Sequence, residues 1–381
     1  MKRYKDMLSK EYEKFKNQES SKYPNIMVVG KSGAGKSSLI NFIFRRDLAK
    51  VSDTEPCTMG YKIYKGKDYK NYINIIDTEG YELSVDENKD SLNNYKEKLN
   101  NMLSEINEEI GKVNIVWFCI SVAGNRIEDM DISILDLIYS LNELNKNVFL
   151  VLTKCDEDDE DGTCAKEFKN IIKKYSNDRF KNIKIFEVSN NNDVNKIIEE
   201  ECKISGIKSL LSESANAITD EDVRVNFIKS QKNNLDLKKA QAEKIISLAA
   251  VSAGAIGLTP IPMSDSITLV PIQLTMIAKI TSIYDMDSNE SVISKALVSN
   301  LIISQLGKLL ATQLLKLIPF GSLINGGVAS SITYALGSAI SEIYYSNSEK
   351  ILNGEFVDMN NMFDEETVKQ LFNEFMSKKE V

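Results

Sequence analysis

The sequence has no histidine among its 381 residues. This absence excludes a Ser-His-Asp triad, a Cys-His pair and most zinc sites, because each of them needs an imidazole. Any catalysis on this chain must therefore use carboxylates, lysine, hydroxyl groups, backbone amides or a bound metal ion.

Paired cysteines and an excess of basic charge are also absent. The five cysteines are scattered, their number is odd, and no CxxC pair occurs. The charged N-terminus has no apolar signal-peptide segment, so we expect a reducing cytosol as the compartment. The formal net charge of −8 argues against a nucleic-acid partner, which would normally bring a basic excess.

Short apolar strands alternate with helical stretches as far as about residue 210. The predicted strands are 26–29, 61–64, 72–76, 115–122, 148–152 and 183–188, and the predicted helices are 36–45, 87–110, 129–145, 165–175 and 194–201. This alternation predicts an α/β fold with a mostly parallel sheet covered by helices on both faces. Ligands bind such sheets at the carboxyl ends of the strands.

A glycine-rich segment, GKSGAGKS at residues 30–37, follows the first strand and fits the phosphate-loop pattern G-x-x-x-x-G-K-[ST]. Its glycines let backbone amides turn toward phosphates, and the helix that follows adds its positive end. We expect Lys36 to bridge the β- and γ-phosphates and the Ser37 hydroxyl to hold Mg²⁺. The predicted nucleotide-binding residues of this segment are Gly30, Ser32, Gly33, Ala34, Gly35, Lys36, Ser37 and Ser38.

A D-x-x-G element, Asp77 to Gly80, follows the third predicted strand. In this position Asp77 is expected to contact Mg²⁺, through water, and the Gly80 amide to meet the γ-phosphate. The pattern is frequent by chance, and its place after a strand and downstream of the phosphate loop makes it informative.

The segment TKCD, residues 153–156, ends the fifth predicted strand and indicates guanine selection. An aspartate at Asp156 can accept hydrogen bonds from guanine N1–H and the 2-amino group, whereas adenine offers neither donor. Thr153 and Lys154 belong to the same element, with the Lys154 stem lying along the base. The Ser189 backbone, after the last strand, is a candidate for the contact to guanine O6.

These elements, in this order, resemble the translation-factor-related branch of P-loop GTPases. The resemblance implies GTP and GDP as ligands, Mg²⁺ as cofactor, and a metal-binding threonine in the loop before the second strand. Thr58 is our choice for that threonine, with Thr54 as the alternate. The expected metal ligands are then Ser37, Thr58 and Asp77, and the expected catalytic groups are Lys36, Thr58 and Gly80.

One residue departs from the family pattern. Many members place a water-orienting glutamine after the D-x-x-G glycine, where this chain has Tyr81. We therefore expect a slow GTPase that is stimulated by a nucleotide-dependent homodimer. The alternative is a GTP-dependent binding switch for a protein or ribosomal partner, with negligible hydrolysis.

The remainder of the chain is predicted to be helical. Residues 245–277 resemble the helical domain of a bacterial group described as YcjF-like, through a TPIP turn at 259–262 and the LVPIQ segment at 269–273. The two-domain layout is also similar, more distantly, to immunity-related and dynamin-like GTPases. The expected organisation is an amphipathic helix, 1–22, docked on the helical domain, a GTPase domain, 23–210, and the helical domain, 211–381.

Two uncharged segments, 245–264 and 317–341, flank a predicted amphipathic helix at 301–316. Three alternatives stay open for this domain: a soluble bundle that touches lipid reversibly, a nucleotide-controlled membrane-inserting hairpin, and a protein-binding module. We expect a cytoplasmic protein, with peripheral contact at the inner face of the membrane as the further option.

Overall fold

The computed structural model divides the chain into two compact units, residues 22–232 and residues 1–21 with 233–381. It describes residues 6–7, 9–11, 22–44, 60–69, 72–78, 80, 89–124, 126–141, 147–158, 162–175, 182–189, 201–231, 234–256, 265–284, 326–358 and 361–379.

The unit of residues 22–232 is built on a six-stranded sheet. Its strands are β1 (Asn25–Val29), β2 (Tyr61–Tyr64), β3 (Asn74–Thr78), β4 (Ile115–Ser121), β5 (Val148–Thr153) and β6 (Lys184–Glu187). Their order is β2-β3-β1-β4-β5-β6. Strand β2 pairs antiparallel with β3, and every other pairing is parallel, so the predicted α/β fold with a mostly parallel sheet is confirmed.

Helices lie between and after the strands of this unit. They are α1 (Lys36–Phe44), α2 (Lys89–Ile110), α3 (Asp129–Ser140), α4 (Thr163–Tyr175), α5 (Glu201–Ala217) and α6 (Glu221–Ser230). Successive strand residues point to opposite faces of a sheet. Both Trp117 and Phe118 of β4 are fully buried, so the sheet is covered on both faces there. Most of the predicted helix at 194–201 lies outside the described residues.

Strand β3 begins and ends two residues later than predicted. Its pairing includes Asp77 beside Lys62 and Thr78 beside Tyr61 on β2. The Thr78 hydroxyl also donates to the Val28 carbonyl, at 2.9 Å. Backbone pairing and this bond continue the strand into the D-x-x-G element, although Asp and Thr interrupt the apolar run that set the predicted end.

The compact unit of residues 22–232 includes α5 and α6, beyond the predicted boundary at residue 210, because α5 packs on the sheet and α6 packs on α5. A Cβ atom added to Gly206 of α5 would lie 1.6 Å from the Glu187 carbonyl oxygen. The Trp117 indole donates to the buried Ser214 hydroxyl, at 3.1 Å. The Lys22 ammonium lies 3.1 Å from Asp220, immediately before α6. These contacts hold α5 against strands that precede it by many residues, and join the start of α6 to the residue Lys22 before β1.

The unit of residues 1–21 and 233–381 has a core of helices. They are α7 (Leu235–Ile256), α8 (Asp265–Tyr284), α9 (Gly326–Leu352) and α10 (Glu365–Lys379). Ile246, Ile277, Leu336 and Phe372 belong to its buried core. A Cβ atom on Gly337 would lie 2.8 Å from Ile246 and from Met276, so this glycine lets α9 approach α7 and α8 closely.

Three polar side-chain pairs join α8 to α9 inside this core. The Gln273 amide donates to the Thr333 hydroxyl at 3.3 Å, and the Tyr344 hydroxyl donates to Thr281 at 2.9 Å. The hydroxyl groups of Tyr284 and Ser341 lie 3.1 Å apart. Each of these buried groups has a hydrogen-bond partner, as the low polarity of a protein interior requires.

Part of the N-terminal segment belongs to the helical unit. The described residues 6–7 and 9–11 are helical. Met7 packs against the helical core, and the Thr275 hydroxyl on α8 donates to the Glu11 carboxylate at 3.5 Å. Within the described ranges, no helix is long and apolar enough to cross a membrane. The predicted amphipathic helix at 301–316 lies outside those ranges, as do residues 257–264 and 317–325 of the two uncharged segments.

We predict that Gly206→Ala destabilises the sheet unit. Alanine in place of glycine normally stabilises a helix by up to about 1 kcal/mol. Here the added methyl group meets the Glu187 carbonyl, so we expect a loss of about 2 to 3 kcal/mol in the free energy of unfolding. Urea titration followed by the fluorescence of Trp117, the single tryptophan, measures this unit. Asn216→Ala, at an exposed position of α5, is the control and should change stability by less than about 0.5 kcal/mol.

Candidate functional site

The predicted site residues meet at the carboxyl edge of the parallel strands. Gly30 directly follows β1, and Asp77 of β3 pairs with Val28 of β1. Thr153 ends β5 and pairs with Ser121 of β4. Strand β1 lies between β3 and β4, where the strand order reverses direction along the chain. Open α/β sheets bind ligands at this kind of switch point.

The phosphate loop has the backbone geometry that its glycines allow. Gly33 and Gly35 adopt φ angles of 75° and 76°, in the left-handed region that favours glycine. Gly30 approaches β4 so closely that a Cβ atom would lie 2.5 Å from the Cys119 carbonyl oxygen. Helix α1 begins at Lys36 with no acidic residue in its first turn, so its positive end faces the loop uncompensated by a carboxylate of its own.

Lys36 is buried within this loop. Its ammonium donates to the carbonyl oxygens of Gly30 at 2.9 Å and Lys31 at 3.0 Å. The positive charge of Lys36 therefore lies at the loop that is predicted to bind the phosphates. Ser37 and Ser38, the next residues of α1, are half-buried.

Asp77 has a buried carboxylate oxygen of the kind that binds a metal ion. Its Oδ1 atom is buried and has no hydrogen-bond partner among the described residues. Burial raises the pKa of this carboxyl to about 6, and the nearby Lys36 and Lys62 oppose the rise. An unpaired buried carboxylate oxygen near Lys36 of the loop suits Mg²⁺, which prefers oxygen ligands and retained waters. Thr58, the third predicted ligand, lies outside the described residues, as do Thr54 and Tyr81.

Gly80 lies against the backbone of the phosphate loop. A Cβ atom at this position would lie 2.3 Å from the Ser32 nitrogen, so only glycine permits this approach. The D-x-x-G element is thereby held against the loop at Gly80 and against β1 through the Thr78 bond to Val28.

Thr153 has a role that the sequence analysis did not identify. Its side chain is fully buried, and its hydroxyl donates to the Ala34 carbonyl of the phosphate loop at 2.8 Å. The predicted guanine element is therefore tied directly to the predicted phosphate element. The sequence analysis also assigned no role to Lys31, which occupies a variable position of the loop pattern.

The turn after β5 places Asp156 on the surface. Lys154 has a left-handed backbone (φ 57°, ψ 35°), the sole positive φ of a non-glycine residue in the described part of the chain. Such a conformation is uncommon and often marks a functional site. The Cys155 amide donates to the Val188 carbonyl at 3.2 Å, which brings the turn beside Ser189. The exposed Asp156 carboxylate follows the end of β5, and the Ser189 segment follows the end of the neighbouring strand β6.

Family comparison agrees with this geometry. Residues 25–154 match the family described as 50S ribosome-binding GTPase, a range that contains the phosphate loop and the D-x-x-G element. The chain has a P-loop GTPase domain. Residues 227–374 match a family described as a domain of unknown function, DUF697, which covers most of the helical unit.

Two relatives match part of the chain. It is 38% identical over 64 residues to the uncharacterized protein YkfA of Escherichia coli (strain K12), which is 17% of this chain and 22% of that protein. It is 44% identical over 61 residues to the probable GTP-binding protein EngB of Caldanaerobacter subterraneus subsp. tengcongensis, which is 16% of this chain and 30% of that protein. The chain thus spans less than a third of the length of either relative.

Solved structures of GTPases show a weak likeness. Toc33 from Arabidopsis thaliana, in complex with Mg²⁺ and GMPPNP, has a TM-score of 0.33 and 21% identity, over 49% of this chain and 79% of that one. The septin GTPase domain from Chlamydomonas reinhardtii has a TM-score of 0.31 and 17% identity, over 53% and 96%. At TM-scores this low the likeness supports no conclusion about this chain.

We predict that Thr153→Val weakens guanine-nucleotide binding. Valine keeps the shape of threonine and removes the hydroxyl that donates to the Ala34 carbonyl. The loss of this bond between loop and turn should lower affinity by about fivefold to tenfold. Titration with a fluorescent GDP analogue measures the change. Thr219→Val, at an exposed position, is the matched control, and equal affinities for the two variants would contradict the prediction.

Proposed function

We propose that the GTPase domain binds GTP and GDP with Mg²⁺ and hydrolyses GTP slowly, and that its nucleotide state controls whether the helical unit associates with membrane or with itself. The observation that carries the nucleotide part is the meeting of the phosphate loop, Asp77, Gly80 and the TKCD turn at one edge of the sheet. The buried, unpaired Asp77 oxygen supports the metal.

Each of these residues has a distinct part in the proposal. Lys36 and the loop amides neutralise the β- and γ-phosphates, and Asp156 accepts from the guanine edge. Mg²⁺, held by Ser37, Thr58 and Asp77, would supply further positive charge to the phosphates. The Gly80 amide reads the γ-phosphate, which gives the differential contact that any nucleotide switch needs.

Slow hydrolysis is inferred from Tyr81, which stands where many family members have glutamine. Phosphoryl transfer needs mainly positioning and charge neutralisation, so a missing water-positioning group can be supplied by another residue in cis or by a second protomer. We favour a nucleotide-dependent homodimer. The assignment to the translation-factor-related branch, with a YcjF-like helical domain, stays a prediction.

We predict that GTP turnover per molecule rises with protein concentration. If a second protomer supplies the missing group, the rate should increase at least about tenfold over the range in which light scattering shows dimers with a GTP analogue. Lys36→Ala is the control for contaminating activity. A rate per molecule that stays constant while dimers form would contradict stimulation by self-association.

The same residue, Tyr81, also supports a second candidate function, a GTP-dependent binding switch with negligible hydrolysis. Its partner would be a protein or a ribosomal particle. Single-turnover phosphate release separates the two candidates, because a switch of this kind releases none over hours even at concentrations that favour dimers.

Two exposed apolar side chains on α7 support the proposed association of the helical unit with membrane or with itself. Leu248 is 62% exposed and Val251 is 71% exposed, and they lie on the same side of the helix, three residues apart. Exposed apolar side chains that lie together favour contact with lipid or with another protein surface. Peripheral attachment at the inner face of the membrane is the location that this proposal implies.

We predict that liposome flotation depends on the bound nucleotide. The purified protein should float with a non-hydrolysable GTP analogue and stay unbound with GDP or without nucleotide. Leu248→Asn combined with Val251→Asn should reduce flotation, while Ser247→Asn, at a neighbouring exposed polar position, should not. Equal flotation in all three states would indicate constitutive association. No flotation in any state, with nucleotide bound, would direct the search to a protein partner.

A further inference from the structure

The side chain of Lys31, the second residue of the phosphate loop, is held at the beginning of α3. Its ammonium lies 3.2 Å from the Asp131 carboxylate and 2.5 Å from the Glu128 carboxylate. The Asp131 side chain is 5% exposed and the Lys31 side chain is 31% exposed, so one of the two ion pairs is largely shielded from water. Hydrogen bonding to Lys31 lowers the pKa of Glu128.

The two carboxylates are themselves fixed. Glu128 and Asp131 form a capping box at the start of α3, in which the Asp131 carboxylate accepts from the Glu128 amide at 2.9 Å. Capping boxes satisfy helix N-terminal amides and fix the direction in which the chain enters the helix. Lys31 is therefore attached to a rigid part of the domain rather than to a surface loop.

The main chain of Lys31 meets the groups proposed to contact the γ-phosphate. Its carbonyl accepts from the Lys36 ammonium at 3.0 Å and from the Ala34 amide at 3.1 Å. Its carbonyl carbon lies 3.0 Å from the position that a Cβ atom on Gly80 would take, and the neighbouring Ser32 nitrogen lies 2.3 Å from it. The peptide between Lys31 and Ser32 thus touches Lys36 on one side and Gly80 on the other.

We propose that Lys31 is a positioning residue, whose ion pairs with Asp131 and Glu128 hold this peptide so that Lys36 and Gly80 are aligned for a γ-phosphate. The inference rests on the proposed nucleotide site. Lys31 acts through its neighbours and need not touch the nucleotide. Since the groups that it aligns read the third phosphate, its loss weakens a triphosphate more than a diphosphate.

The test compares GDP with GMPPNP as probes, in the presence of Mg²⁺, on the full chain. Lys31→Gln should weaken GMPPNP by about tenfold and GDP by about twofold or less, because charge-assisted hydrogen bonds are among the stronger ones. Lys31→Arg, which can still bind both carboxylates, should restore GMPPNP affinity to within about threefold of the unsubstituted chain. Glu128→Gln removes one carboxylate and leaves the buried Asp131 in place. It should also weaken GMPPNP more than GDP, by a smaller factor than Lys31→Gln does.

The chain offers a matched control in Lys65→Gln. Lys65 pairs with Glu109 at 2.6 Å, and the two side chains are 29% and 46% exposed, close to the 31% and 45% of Lys31 and Glu128. Removing that pair should leave the affinities for both nucleotides unchanged. Comparing Lys31→Gln with Lys65→Gln therefore distinguishes the specific effect of Lys31 on the nucleotide site from the general effect of losing a surface cation.

Two results would overturn the inference while leaving the proposed function in place. One is unchanged affinity of Lys31→Gln for both nucleotides, and the other is an equal loss for GDP and GMPPNP that arginine does not reverse. Retained GDP binding shows that a variant has folded. If the unsubstituted chain binds neither nucleotide, the proposed function fails, and the inference fails with it.

Discussion

Close approach of backbone to the phosphate loop is the constraint on which the rest of the site depends. Gly30 meets the Cys119 carbonyl of β4, and Gly80 meets the Ser32 nitrogen, at distances that leave no room for a Cβ atom. The Thr153 hydroxyl adds a third attachment, to Ala34. Three segments from different strands are therefore fixed to one loop of eight residues. Strand pairing places these segments at one edge of the sheet, and the glycines and one buried hydroxyl set how closely they approach the loop.

Most of the sheet could be predicted because its strands are short apolar runs followed by turn or glycine-rich segments. The phosphate loop could be predicted for a related reason, since the pattern stood between a strand and a helix. The end of β3 could not, because its last residues are polar and are held by pairing with β2 and by the Thr78 bond. The compact unit that contains the sheet includes α5 and α6, beyond the predicted boundary at residue 210. It depends on contacts such as Gly206 with Glu187, which no local pattern in α5 indicates.

Two contributions to the candidate site were hidden in residues that the motifs already contained. Thr153 and Ala34 are 119 positions apart, and Lys31 lies 97 and 100 positions from its two carboxylate partners. A phosphate-loop pattern leaves the Lys31 position unspecified, so no spacing argument could assign it a partner. Charge and burial become informative there only when the fold brings α3 beside the loop. The roles of Thr58 and Tyr81 stay predictions from the sequence.

The three polar pairs between α8 and α9 have a consequence for how the helical unit can rearrange. Gln273, Thr281 and Tyr284 on one helix meet Thr333, Tyr344 and Ser341 on the other, and the bonds run along the shared contact. Separating the two helices in an apolar medium would break these three buried hydrogen bonds, which is strongly unfavourable. Moving the two helices together keeps the three bonds intact. The pair of α8 and α9 can therefore move as one body, and a rearrangement of the helical unit costs least free energy at the surfaces where α7 and α10 cover this pair.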